Sequence, residues 1–191
     1  MSKTKRVVLG LAVATLLTAV FAGPAVADDS NNNTATATLN AGSLSFDNTI
    51  AKPTLGNFAT ITLNGSPQLT SAALTRFMVN DATGSGSGWH VDYTLTQLST
   101  GGGTPHTLAT GSVDTKAPVV TTDPGTTSAA PSVFDAPGVD DGAAHKVVSA
   151  AIGAGMGVYL VSPRPFVLHV PADAYAGTYS TTATVDLVTA P

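Results

Sequence analysis

Trp89 is the single indole in a chain of 191 residues. It follows the loop Asp81-Ala82-Thr83-Gly84-Ser85-Gly86-Ser87-Gly88, whose glycines let the backbone turn sharply. An indole face stacks on the apolar side of a sugar ring while its N–H offers one donor, so an exposed Trp89 would hold a glycan strand. Burial in a core is the other role open to it, because Val91, Tyr93 and Leu95 share its face. Tyr93, Tyr159, Tyr175 and Tyr179 offer further stacking surfaces. Tyr179, just after Gly177-Thr178, also suits a structural place in which its hydroxyl reaches backbone.

Other chemistry has little to work with. The four histidines, His90, His106, His145 and His169, are not spaced as metal ligands. Asp140 and Asp141 precede His145 in a turn where carboxylates are ordinarily solvated, and no metal site is assigned there or at Asn80-Asp81. Cysteine and glutamate are both absent, which removes a thiol nucleophile, a thiolate site and a raised-pKa Glu acid. There is no Gly-x-Ser-x-Gly elbow, and Gly153-Ala154-Gly155-Met156-Gly157 lacks the spacing of a dinucleotide loop. The expectation is a binding protein without catalytic residues, metal or cofactor.

The elements that position Trp89 are strands. Trp89, Val91, Tyr93 and Leu95 alternate with His90, Asp92, Thr94 and Thr96, the period of a half-buried strand. Thr34–Leu39, Gly42–Phe46, Phe58–Leu63, Thr75–Asn80, His145–Ile152, Met156–Ser162 and Pro165–Val170 read the same way. So does a last strand in which Tyr179, Thr181, Ala183, Val185 and Leu187 share a face. Pro171–Gly177 reads as a turn or one helical turn closed by glycine. Residues 99–142 shift to Gly, Thr, Ser, Pro and Asp, with five prolines, and predict long surface loops around one or two edge strands. Abundant Thr, Val and Gly favour strands and turns over helices. The fold class is all-β: one antiparallel sandwich of immunoglobulin-like or jelly-roll type, with about nine to eleven strands.

The N-terminus reads as a leader. Lys3, Lys5 and Arg6 precede an apolar run from Val7 to Gly23, and Ala25-Val26-Ala27 fits a small-x-small cleavage site, giving a signal peptide over 1–27 and a domain over 28–191. The remaining chain carries five basic against 12 acidic residues, a formal −7, which argues against nucleic acid as a partner. Val188-Thr189-Ala190-Pro191 offers no apolar tail, and no lipidation cysteine follows the leader, so the expectation is no membrane attachment after cleavage and non-covalent surface retention.

Several of these residues together resemble a known family. Asp81 to Gly88 leading into Gly-Trp-x-aliphatic, then Val170-Pro171-Ala172, Ala176-Gly177-Thr178-Tyr179 and a terminal Leu187-x-x-Ala190-Pro191, with the early Gly42-Ser43-Leu44 and Phe46, look like the WxL domain of Gram-positive surface proteins. The likeness spans about residues 34–98 and 152–191. It implies a secreted β domain held on the cell wall by non-covalent contact with peptidoglycan or another wall glycan. The implied ligand residues are Asp81, Gly88, Trp89, Val91 and Leu187. The first motif here is Trp89-His90-Val91 and the second is Val185-Asp186-Leu187, one aromatic short. The alternative is a structural or adhesive subunit that binds other surface proteins through sheet edges or the central loops, without glycan affinity.

Overall fold

The computed structural model describes residues 35–190 except Asn48 and Ala51; the expected leader lies outside the described residues. All regular structure among them is strand. The elements are β1 (Leu44–Asp47), β2 (Gln68–Ala72), β3 (Phe77–Asp81), β4 (Trp89–Leu95), β5 (Val113–Thr115), β6 (Val119–Thr122), β7 (Ser132–Val133), β8 (His145–Ala150), β9 (Gly157–Ser162), β10 (Phe166–Val170) and β11 (Ala183–Thr189). They form three antiparallel sheets, in the orders β1-β3-β9-β6, β2-β10-β5 and β11-β4-β8-β7. The described residues from Leu39 onward form one compact unit.

Two of these sheets are one layer broken across. β3, β9 and β6 lie side by side, and their chain neighbours β2, β10 and β5 lie side by side in the same order. The breaks fall at Ala73–Arg76, Pro163–Pro165 and Lys116–Pro118. Pro118, Pro163 and Pro165 have no N–H to give a ladder, so the pairing stops there. The sheet β11-β4-β8-β7 faces this layer through aromatic contacts. Trp89 meets Tyr159 of β9 with ring centres 6.0 Å apart, and Tyr93 meets Phe166 of β10 at 5.5 Å.

Strand β4 shows why the chain folds this way. Its burial alternates strictly, with Trp89, Val91, Tyr93 and Leu95 inward. Each large apolar side chain so buried contributes about 1.5–3 kcal/mol. Beside it β8 carries a register shift opposite Val91 and Asp92, and consecutive Val147 and Val148 are both buried, as a β-bulge allows. Tyr93 shows the cost of this packing: its hydroxyl is buried with no partner among the described residues, and burial pushes its pKa well above the ordinary phenol range.

Residues 99–142 differ from the expected loops around one or two edge strands. They supply three strands, β5, β6 and β7, one at an edge of each sheet. Leu108, Val113, Ala136 and Val139 of this segment are core residues. Asp140, with no exposed surface, fastens it. Its Oδ1 accepts from the N–H of Gly111 (2.9 Å) and Val113 (3.0 Å), and its Oδ2 from the N–H (3.3 Å) and Oγ (2.9 Å) of Ser112.

Two expected strands are not formed. Of Thr34–Leu39, the described residues 35–39 join no ladder, and Leu39 is 90 % exposed; alternating Thr and Ala expose too little apolar surface to bury. Phe58–Leu63 is extended but irregular, with Phe58 and Ile61, three apart, turned toward the core. Pro171–Gly177 is a turn, with Ala174 N–H donating to Pro171 O at 3.3 Å.

Candidate functional site

The Trp89 end is built for packing. The indole has no exposed surface, and its Nε1–H donates to Gly155 O at 2.9 Å. Gly155 has φ +75°, and a Cβ there would lie 2.8 Å from Trp89 Nε1 and 2.2 Å from Ala150 Cβ. Gly88 is equally confined, since its Cβ would come within 2.5 Å of Ala150 O. The Asp81–Gly88 loop is tied to the same place, because Gly153 N–H donates to Gly86 O at 2.8 Å. Asp81, 4 % exposed, turns its Oδ1 to the N–H and hydroxyl of Thr83, at 3.1 and 2.7 Å.

Of the two roles open to Trp89, platform and core, the structure shows the core: the ring has no exposed surface and its N–H is committed to Gly155. Val91, also without exposed surface, belongs to the core as well. Leu187 is half-buried on edge strand β11, directly across from Val91. The register sets the two motif segments side by side, with Val185 opposite Tyr93 and Thr189 opposite Trp89. The structure thus brings Asp81, Gly88, Trp89, Val91 and Leu187 into one region, but as packing around β4 rather than as an open surface.

On the outer face of β4 the His90 ring is engaged on both sides. Its Nδ1 donates to Ala190 O at 2.5 Å, and its Nε2 lies 3.3 Å from Asp92 Oδ2. Asp140 and Asp141 diverge, the first inward to Gly111–Val113 and the second outward to His145 Nε2 at 2.9 Å. That imidazole, and then the Ala143 N–H, hold the Asp141 carboxyl below its ordinary pKa. Among the described residues no three such side chains gather as a metal set would require.

An open cleft of about 610 Å³ lies beyond the other end of β4. Its floor is Leu98, Leu108, Leu168 and Val170, at the end of the core. One wall is the extended segment Phe58–Leu63. That wall is held against β2 by Thr70 Oγ1–H to Ala59 O (2.6 Å), Ala59 N–H to Ser71 O (3.2 Å) and Gln68 Nε2–H to Thr62 O (3.0 Å). The other wall is the turn running into Tyr179. There Tyr175 is 64 % exposed and its ring lies on His106, with centres 3.8 Å apart and planes 10° from parallel. Tyr179 Oη donates to Tyr175 O at 3.1 Å and fixes the turn, the structural place read for that hydroxyl. Tyr175 was legible as a stacking candidate; the wall at 58–63 and the His106 backing were not.

Against family models, residues 24–191 match the WxL domain, described as surface cell wall-binding. The chain belongs to the WxL domain family. The match covers the central segment as well as the two motif regions, in keeping with the three edge strands that segment contributes. In this WxL domain the first-motif tryptophan is an interior residue, and the open surface with an accessible aromatic lies at the other end of β4. Neither the curated proteins nor the solved structures compared with the chain include a match.

Proposed function

We propose that the protein is exported by cleavage after Ala27 and held on the outside of a Gram-positive cell by non-covalent binding of peptidoglycan, without catalysis. The family's description supplies the wall. The observation that carries the reading beyond it is the cleft beside Tyr175, an aromatic ring left in solvent and braced from behind by His106. Concave sites with a few convergent polar groups are where ligands bind. An uncharged lining and a ring braced by stacking suit attachment better than turnover. The test is sedimentation of the purified protein with peptidoglycan sacculi. The protein should pellet with the sacculi and Tyr175→Ala should stay in the supernatant; wild-type protein left wholly in the supernatant would end the reading.

A second reading, a surface subunit that binds protein partners, has one observation in its favour. β11 is a seven-residue strand at the edge of its sheet with Thr184, Asp186 and Val188 exposed, and an open edge is a template for strand addition. It predicts a partner complex in sizing chromatography and no pelleting with sacculi.

A further inference from the structure

We infer that the Tyr175 cleft recognises the uncharged glycan backbone of peptidoglycan, its N-acetylated sugars, and neither the stem peptides nor an anionic wall polymer. This rests on the wall-binding reading and says which part of the wall is touched.

The first argument is charge. None of the side chains lining the cleft is charged. A stem peptide brings carboxylates and an amine, and a phosphate polymer brings a row of anions. Either would give up hydration in the cleft with no opposite charge to replace it. The acidic balance of the chain, eight Lys and Arg against 12 Asp over its whole length, opposes a polyanion further.

The second argument is the shape and polarity of what is offered. Tyr175 presents one ring face while His106 covers the other at 3.8 Å, so a sugar has a flat, immobile surface for its C–H face. Opposite it, the Phe58–Leu63 wall is anchored by three hydrogen bonds, made by Ala59 N–H and by the side chains of Thr70 and Gln68. Thr60, Thr62 and Thr178 add hydroxyls that both donate and accept. Acetamido and hydroxyl groups need such neutral donors and acceptors, held in place before the ligand arrives.

The experiment compares four probes on the purified protein: whole sacculi, neutral oligomers of N-acetylglucosamine, free stem pentapeptide, and polyglycerol phosphate. Binding to sacculi and to the N-acetylglucosamine oligomers, with neither of the other two bound, is expected. Tyr175→Ala should weaken glycan binding roughly tenfold or more, with the fluorescence of buried Trp89 unchanged as the sign of an intact fold. Binding of the stem peptide or the polyphosphate in place of the glycan, or an unchanged glycan affinity in a folded Tyr175→Ala, would overturn the inference while leaving wall binding standing. No binding to whole sacculi would overturn both.

Discussion

The indole N–H of Trp89 and the carbonyl of Gly155 meet at 2.9 Å across 66 positions of sequence. The bond joins the start of β4 to the glycine-rich turn before β9, which belongs to the opposite layer of the sandwich. Gly88, Gly155 and Ala150 close around the ring so tightly that no side chain could be added at either glycine without displacing something. A tryptophan that sequence leaves open as platform or core is in this fold the fastener between layers.

Trp89→Phe should therefore destabilise without a separate binding defect. The smaller ring leaves a void and strands the Gly155 carbonyl, a loss of about 2 kcal/mol. Urea titration should show the midpoint shift, and the folded fraction should still pellet with sacculi. A variant as stable as wild type that no longer binds the wall would contradict the interior role.

Glycine replacements should separate confinement from backbone conformation. Gly84 and Gly155 both have positive φ, +64° and +75°, but nothing lies within 4 Å of a Cβ at Gly84. Gly84→Ala should cost only the left-handed backbone penalty, about 1–2 kcal/mol. Gly155→Ala adds overlap with Ala150 and Trp89, and its total should exceed about 3 kcal/mol. Equal thermal midpoints for the two would refute the packing described.

What the sequence disclosed follows from where large apolar groups alternate. In β4 and β10 the inward residues are Trp, Val, Tyr, Leu and Phe, so period two alone identified strand and face. β2 escaped notice because its pattern is inverted: Leu69 points out, 63 % exposed, while Thr70 and Ala72 point in. Phe58–Leu63 looked like a strand but packs through residues three apart. The cleft was illegible because its walls come from residues 58–63 and 174–179, its floor from Leu98, Leu108, Leu168 and Val170, and its backing from His106. Local pattern could not choose between platform and core for Trp89, since the group that decides it sits at Gly155.

Acid should loosen two surface links. The Asp135 carboxyl is held below its ordinary pKa first by the Ala117 N–H and then by Lys116 at 2.9 Å, and that of Asp141 first by His145. A carboxylate whose folded pKa is depressed adds stability above its unfolded value, near 3.9, and loses it as the pH falls through the lower folded value. Both groups are exposed, so the effect is small. Thermal midpoints should hold above about pH 5 as far as these groups are concerned and decline below about pH 4. The decline should be shallower in the double variant Asp135→Asn, Asp141→Asn; an unchanged slope would mean that other carboxylates govern it.

Asp140 gives the sharpest test of whether residues 99–142 are integral to the fold. Its two oxygens collect four donors from Gly111, Ser112 and Val113, all beside β5. Asp140→Ala leaves those N–H groups without an acceptor in a site closed to water, and each such donor costs about 1–3 kcal/mol, so a loss of at least about 3 kcal/mol is expected. Asp140→Asn keeps the shape but turns an NH₂ toward two of the donors, and should fall between. By contrast, shortening Gly101–Gly103, where a Cβ would meet nothing, should leave stability nearly untouched. Hydrogen exchange should show β5 losing protection first in Asp140→Ala. Protection lost only within 99–112, with β5 and β10 unchanged, would make the segment an appendage rather than the edge of all three sheets.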